Sequence, residues 1–155
     1  MAEEIERKFL VDGSEWRTLG RGEVFRQGYL STVKERTVRI RVVGEQAWIT
    51  VKGLTVGATR SEFEYSIPLA DAEQMLELCE QPIIEKTRYV VEMGGLRWEV
   101  DEFTGANRGL VVAEVELDDP DQSIELPDWI GTEVTDDPRY YNANLIDHPY
   151  SCLLY

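Results

Sequence analysis

Three charged residues near the start of the chain occupy alternate positions: Glu4, Glu6 and Lys8. In a β-strand the side chains of residues i, i+2 and i+4 point to one face, roughly 6.6 Å apart at each step. An extended segment therefore places two carboxylates and one ammonium group side by side. Carboxylate oxygens suit a hard divalent cation, and an ammonium group suits an anion. The run predicts a site where a divalent metal ion meets an anionic ligand.

Charged side chains at alternate positions recur in later segments, and most of the later pairs are of one sign. The basic residues are Arg39, Arg41, Lys52, Lys86 and Arg88. The acidic residues are Glu62, Glu64, Asp101, Glu114 and Glu116. A half-solvated antiparallel strand also alternates apolar and charged residues, so a single pair is more simply explained by an exposed face. The joint pattern, with the two signs on different strands, favours one shared charged interior.

The segments that position these residues have the pattern of β-strands. Period-two alternation between turn residues predicts eight strands, at 2–11, 23–32, 36–43, 46–52, 60–67, 84–93, 96–103 and 110–118. The Gly94-Gly95 pair predicts a hairpin between the sixth and seventh strands. Helical spacing predicts an amphipathic helix at 70–79, with shorter helices near 14–20 and 139–147. We therefore predict a mainly β (α+β) fold, a closed or nearly closed eight-stranded antiparallel barrel that holds one small ligand.

Length and composition limit the class of protein. A chain of 155 residues fits one domain, spanning 1–155. The net charge of −14 argues against a nucleic-acid partner, which would need a basic face. No apolar run approaches the roughly 18 residues of a membrane helix, and no signal-peptide pattern is present. Cys79 and Cys152, with one histidine, form no zinc cluster and fit a reducing cytoplasm. We expect a cytoplasmic protein without a membrane partner.

If all the charged faces point into one barrel, the apolar faces form its outer wall. The proposed interior contains six basic and seven acidic groups, whereas the whole chain has 16 basic and 30 acidic groups. The interior is then nearly neutral, and the acidic excess lies outside. Burial of so many charges is costly unless they pair or bind ions. A polyanion held through Mg²⁺ or Mn²⁺ would satisfy both signs.

Taken together, the motifs resemble the CYTH superfamily, also called triphosphate tunnel metalloenzymes, and especially its short bacterial members. The resemblance extends from Glu4 to about Leu145. Besides the charged pairs, it includes Gln27-Gly28-Tyr29-Leu30, Glu85-Lys86-Thr87-Arg88-Tyr89 and Asp137-Pro138-Arg139-Tyr140-Tyr141-Asn142. It implies an eight-stranded antiparallel tunnel that binds a triphosphate together with one or two Mg²⁺ or Mn²⁺ ions. Many relatives form homodimers, although no interface is marked in this sequence.

The resemblance also assigns roles to the matching positions. The phosphates would be bound by Lys8, Arg39, Arg41, Lys52, Lys86 and Arg88. The metal-binding side would comprise Glu4, Glu6, Glu62, Glu64, Asp101, Glu114 and Glu116. Glu4, Glu6, Glu114 and Glu116 are its principal members, while Asp101 and the Glu62/Glu64 pair alternatively orient basic residues or water.

Two residues are candidates for catalysis. Lys86 would act as base or water-orienting group, because nearby cations such as Arg88 lower its pKa and favour the neutral amine. Tyr29 would be its hydrogen-bond partner, and packing at the barrel rim is an equal alternative for that ring.

The expected activity is hydrolysis of inorganic tripolyphosphate to pyrophosphate and phosphate. The alternatives are a nucleoside or thiamine triphosphatase, a class IV adenylyl cyclase, and a non-catalytic module that binds triphosphate or polyphosphate. Cyclase-type relatives have His-Phe just before the Glu-x-Glu-x-Lys run, whereas Met1-Ala2-Glu3 stands here. No motif marks a wall for stacking an organic group, and every acidic pair is intact, which favours hydrolysis of an inorganic substrate.

Overall fold

Nine β-strands make up about half of the part of the chain that the structure describes. The computed structural model describes residues 3–142 and 144–147, with side chains for 5–142, 144 and 145. The strands are β1 (Glu3–Val11), β2 (Gly22–Ser31), β3 (Arg36–Val43), β4 (Gln46–Gly53), β5 (Thr59–Ser66), β6 (Ile84–Met93), β7 (Leu96–Phe103), β8 (Val111–Glu116) and β9 (Ile130–Glu133). The helices are α1 (Leu69–Leu78) and α2 (Asn144–Asp147), with 3₁₀ turns at Glu15–Thr18, Gly105–Asn107 and Pro138–Tyr140. Neither described α-helix has the length and apolar character needed to cross a membrane.

Strand β1 closes the sheet into a barrel. The antiparallel order is β5-β4-β3-β2-β6-β7-β8-β1, and Glu3–Ile5 of β1 pairs with β5 at the far edge. The next part of the same strand, Glu6–Leu10, pairs with β8. Strand β9 then adds to the end of β1 at Phe9 and Val11. The predicted closed eight-stranded antiparallel barrel is confirmed, with β9 as an additional strand outside it.

The apolar faces of the strands point outward and are covered by the connecting segments. On one side, Phe9, Trp98 and Val115 are buried beneath Trp16 and Trp129. The rings of Trp98 and Trp129 pack edge-to-face with their centroids 5.8 Å apart. Burial of a large apolar side chain contributes about 1.5–3 kcal/mol, so these residues stabilise the barrel from outside its wall. The charged residues of these strands are thereby left to the inner face, as the alternation predicts.

Helix α1 covers the opposite side of the barrel. Its residues Ala72 and Leu76 pack with Ile40, Val42 and Ala47 on the outer faces of β3 and β4. The helix begins directly after Pro68, whose extended backbone ends the preceding segment. The amphipathic helix predicted at 70–79 is therefore confirmed, displaced by one residue.

The eight predicted strands match the observed ones within two residues at each end. The Gly94-Gly95 hairpin is also confirmed: both glycines have positive φ, 62° and 76°, as a type I′ turn requires. Two expected helices differ from the prediction. The segment near 14–20 forms only a 3₁₀ turn, and the segment near 139–147 forms a 3₁₀ turn followed by α2. Within that last segment, position 143 lies outside the described residues.

Candidate active site

The barrel encloses a cavity of about 510 Å³, and side chains from all eight barrel strands line it. The predicted site residues that line the cavity are Glu6, Lys8, Tyr29, Arg39, Arg41, Lys52, Glu62, Glu64, Lys86, Arg88, Glu114 and Glu116. Asp101 is buried behind this lining, with 2% of its surface exposed. The side chain of Glu4 lies outside the described side chains, and its backbone is opposite Arg60 of β5.

The register of the strands places acids opposite bases. Lys8 of β1 pairs with Glu114 of β8, Lys52 of β4 with Glu62 of β5, and Arg88 of β6 with Asp101 of β7. Opposite charges on neighbouring strands stabilise a sheet, because directly opposed side chains are about 4.5–5.5 Å apart at Cβ. At these three positions a base on one strand is paired with an acid on the next, and this pairing stabilises the charged interior.

An apolar plug fills one end of the barrel interior. It is formed by Ile84, Phe103 and Val112 from the inner faces of three strands, together with Leu145 of α2. Leu145 is only 1% exposed. The C-terminal segment therefore enters the barrel, and the charged cavity begins next to this plug. The sequence pattern predicted charge along the whole interior and did not indicate this apolar end.

Arg39 and Arg41 concentrate positive charge at the cavity. Burial, followed by repulsion from Arg39 and Arg88, lowers the pKa of Arg41 to about 9. The guanidinium stays cationic at neutral pH, so the cavity contains a buried positive charge next to other cations. Arg39 donates from Nη2 to Thr50 Oγ1 at 3.2 Å, but its buried Nε has no hydrogen-bond partner among the described residues. Such a buried donor indicates a missing acceptor, and an anion would supply it.

Lys86 and Arg88 share one buried counter-ion, Asp101. Arg88 forms a fork with this carboxylate, Nε to Oδ1 at 2.7 Å and Nη2 to Oδ2 at 2.9 Å. Lys86 Nζ is also 2.7 Å from Oδ2. Burial opposes ionisation of Asp101, yet the charges of Arg88 and Lys86 outweigh it and lower the pKa of Asp101 to about 2. Both carboxylate oxygens are therefore engaged with cations.

The pKa of Lys86 is lowered to about 7. Burial is the largest cause, and repulsion from Arg88 and Arg41 adds to it, while Asp101 acts in the opposite direction. The sequence predicted the direction of this shift from the neighbouring cations, but burial of the side chain, which is 1% exposed, has the larger effect. Tyr29 lines the same cavity and is 5% exposed, but within the described chain no hydrogen bond joins it to Lys86.

Glu114 is the centre of the acidic side. Its Oε1 is 3.5 Å from Lys8 Nζ, which in turn donates to the carbonyl of Tyr140 at 3.2 Å. Burial would raise the pKa of Glu114, but the charge of Lys8 and a hydrogen bond from the Glu6 carboxyl hold it well below its usual range. Two adjacent carboxyl groups of this kind are stable with one proton or one cation between them.

The acidic residues fit a hard divalent cation in their chemistry. The described side chains, which exclude that of Glu4, contain no cluster of three acidic, histidine or cysteine groups arranged around one point. Glu6 and Glu114 nevertheless share a hydrogen bond, and Glu116 lines the same cavity. Carboxylate oxygens are the ligands that Mg²⁺ and Mn²⁺ prefer, so this side of the cavity fits such an ion.

Several cavity residues were not predicted. Arg60 lines the cavity and shares a strand face with Glu62 and Glu64, so extending the period-two pattern by one step would have found it. Arg97 and Glu99 share the face of Asp101 in the same way. The C-terminal residues Tyr141 and Asn142 also line the cavity. They lie outside any strand, and no periodicity indicates their position.

Comparison with known proteins agrees with this geometry. The CYTH domain family matches residues 2–150 of the chain. An inorganic triphosphatase from Acetivibrio thermocellus is 50% identical over 151 residues, which cover 97% of each chain. An inorganic triphosphatase from Nitrosomonas europaea is 37% identical over 150 residues, covering 92% of this chain and 95% of the relative.

A solved structure also agrees. The crystal structure of an inorganic triphosphatase superposes with a TM-score of 0.64 at 34% identity, covering 92% of this chain and 97% of that one. The family match spans almost the whole chain, and most of the charged residues from which the resemblance was inferred line one cavity. The chain belongs to the CYTH domain family.

Proposed function

We propose that this chain hydrolyses inorganic tripolyphosphate to pyrophosphate and phosphate within its barrel, with the help of a divalent metal ion. The observations that support this most directly concern two cations at the cavity, Arg39 and Arg41. The first has a buried Nε without a described partner, and the second has a pKa lowered to about 9 by burial and neighbouring cations. Both features are relieved by a polyanion. The relatives from Acetivibrio thermocellus and Nitrosomonas europaea are inorganic triphosphatases.

The substrate phosphates are bound by the basic residues of the cavity. The proposed set is Lys8, Arg39, Arg41, Lys52, Lys86 and Arg88. Planar guanidinium groups form bidentate contacts with phosphate oxygens, while the lysines act as point charges. Hydrolysis of a phosphoanhydride depends mainly on positioning and on neutralising the charge that spreads over the transferred group. A cavity lined by so many fixed cations provides both.

The acidic residues divide into two groups in this proposal. Glu6, Glu114 and Glu116, with Glu4 as the predicted fourth member, hold Mg²⁺ or Mn²⁺. A bound divalent ion neutralises phosphate oxygens and lowers the pKa of water. Asp101 instead orients Lys86 and Arg88, because both of its oxygens are engaged by them.

Glu64 belongs with Asp101 in the orienting group. Its carboxylate accepts a hydrogen bond from Thr50 at 2.9 Å and is 3.5 Å from Arg39 Nη2. Thr50 also accepts from the same guanidinium, so the threonine and the carboxylate together fix the direction of Arg39. We assign Glu62, on the same strand face, to this supporting role as well.

Lys86 acts as the proton acceptor or the water-orienting group. A pKa of about 7 gives a large fraction of neutral amine at neutral pH, and an acceptor of this kind accelerates proton transfer by about 10²–10⁴-fold. Tyr29 lies at the same cavity and is proposed to hold the attacking water rather than to bind Lys86 directly.

Phosphate release from a panel of substrates tests the activity. With Mg²⁺ or Mn²⁺, we expect rapid release from tripolyphosphate and slower release from ATP and thiamine triphosphate. EDTA should abolish phosphate release, and excess metal should restore it. The carboxylates are themselves anionic, so they need a bound metal ion to neutralise the substrate. No release from any of the three substrates with either metal would contradict the proposal. Conversion of ATP to cyclic AMP would instead indicate a cyclase.

The pH profile tests the role of Lys86. We expect kcat/KM of the wild type to rise with pH through about 7, because the ammonium must lose its proton before the amine accepts one. Lys86→Met should remove this rise and lower kcat by about 10²–10⁴-fold. If Lys86→Ala kept near-normal turnover while Arg41→Ala lost it, the assignment of Lys86 would be wrong.

Two broader expectations remain proposals. The free, buried thiol of Cys79 fits the reducing cytoplasm, which is where we place the protein. A homodimer remains a prediction for this chain, and light scattering of the purified protein measures it.

A further inference from the structure

We infer that Asn142, in the C-terminal segment, is a positioning residue for Lys86, and that Gln27 connects the same amide to Arg41. Asn142 Oδ1 accepts from Lys86 Nζ at 3.1 Å and from Gln27 Nε2 at 3.2 Å. Gln27 Oε1 in turn accepts from Arg41 Nε at 2.9 Å. One chain of hydrogen bonds therefore links a phosphate-binding arginine to the proposed catalytic lysine. The inference rests on the proposed function of the cavity.

The chemistry of the donors determines the direction of this chain. The Arg41 guanidinium only donates, so Gln27 must present its carbonyl oxygen to it and its NH₂ group to Asn142. Asn142 must then present its own oxygen, which is also what the donor Lys86 requires. Gln27 is fully buried, so its amide has no alternative partner in bulk water. Each amide has one orientation that satisfies all its neighbours.

The consequence concerns the direction of the Lys86 nitrogen. Asp101 Oδ2 and Asn142 Oδ1 are its two acceptors, at 2.7 Å and 3.1 Å. The Lys86 nitrogen is tetrahedral: one position holds the side-chain carbon, and two hold the protons donated to these acceptors. The fourth position holds the third proton of the ammonium group or the lone pair of the neutral amine. Lys86 lines the cavity, so a fourth position that faces it would be open to substrate and water. Removal of one acceptor leaves the lone pair free to rotate away.

The backbone around Asn142 holds its amide in place. Leu145 is buried in the apolar plug, and its amide donates to the carbonyl of Tyr141 at 3.1 Å. Before it, Asp137 accepts a hydrogen bond from Arg139, and the side chain of Asn144 donates to the carbonyl of Pro138 at 2.8 Å. The C-terminal segment is thus fixed on both sides of Asn142, as a positioning role requires.

A kinetic double-mutant cycle tests this inference. We expect Asn142→Leu to lower kcat for tripolyphosphate by about 10²-fold with little change in KM, because the lysine is misdirected while the phosphate contacts remain. In the Lys86→Met background the same substitution should have no further effect, since coupled residues are not additive. Additive losses, or a loss confined to KM, would overturn the inference. If Asn142→Leu lowers the unfolding temperature, Asn142→Ser, which adds no bulk, replaces it.

A second readout is independent of activity. Acetylation by acetic anhydride, followed by peptide mass spectrometry, measures the reactivity of each lysine. Asn142→Leu should change the rate at Lys86 and leave unchanged the rate at Lys34, an exposed lysine between β2 and β3. An unchanged rate at Lys86 would overturn the inference. A changed rate in a protein that is inactive on tripolyphosphate would refute the proposed function alone.

Discussion

Replacing Arg41 with alanine is expected to lower kcat/KM for tripolyphosphate by about 10³-fold, the range measured when one preorganised charge is removed from a phosphoryl-transfer site. Burial of Arg41, with repulsion from Arg39 and Arg88, lowers its pKa to about 9. The folded protein therefore holds the cation in place at a cost that an anionic ligand would offset. Alanine removes this preorganised charge and leaves Gln27 without its donor.

Two variants serve as controls for Arg41→Ala. Arg41→Lys keeps the charge but loses the planar fork, so we expect an intermediate loss. Arg17→Ala removes an arginine that is paired with Glu102 and whose side chain is 46% exposed, and it should leave kcat/KM unchanged. Steady-state kinetics at fixed metal concentration measures all three. Equal losses of kcat/KM in Arg17→Ala and Arg41→Ala would show that the net charge of the protein, and not a charge at the cavity, determines the rate.

Replacing Asp101 with asparagine is expected to lower the free energy of unfolding by about 3–5 kcal/mol. The substitution leaves Arg88 as a buried cation without its paired carboxylate, and it removes the main charge that favours the protonated form of Lys86. For a chain of this size, roughly 2–4 °C of unfolding temperature corresponds to each kcal/mol, so we expect a decrease of about 6–20 °C. Thermal unfolding followed by circular dichroism measures it.

The matched control for Asp101→Asn is Glu102→Gln, at the neighbouring position on β7. Glu102 pairs with Arg17 at the surface, and exposed ion pairs contribute about 0–1 kcal/mol. The unfolding temperature of Glu102→Gln should therefore be close to that of the wild type. Excess tripolyphosphate should partly restore the stability of Asp101→Asn, because the anion replaces the missing negative charge. If Asp101→Asn were as stable as the wild type, Asp101 would not act as the buried counter-ion.

The strands of the barrel were predictable because each one alternates in character. Arg39 and Arg41 on one face of β3, with Ile40 and Val42 on the other, define both the strand and its orientation. Strand β9 was missed because Ile130–Glu133 is short and includes Gly131, so it has too few alternating positions. Its position on β1 is determined by tertiary packing of Trp129 beside it.

The site was only partly predictable for a related reason. Period-two alternation identifies which residues share a face, and it gave most of the cavity lining. It does not give depth along the barrel axis, so it did not distinguish Asp101, buried between two cations, from Glu116 at the cavity surface. Asn142 reaches Lys86 through the fold of a segment without regular alternation, and sequence periodicity contains no information about such a contact.

The division of β1 among three neighbours has a consequence for the order of folding. This first strand pairs with β5, β8 and β9, all of which are distant in sequence. Such contacts form late, because loop-closure entropy must be overcome before they stabilise the chain. Until β1 is in place, β5 and β8 each present an unpaired edge, which is a template for association with another chain. Enclosure of the charged cavity and protection of these edges therefore depend on the same late step.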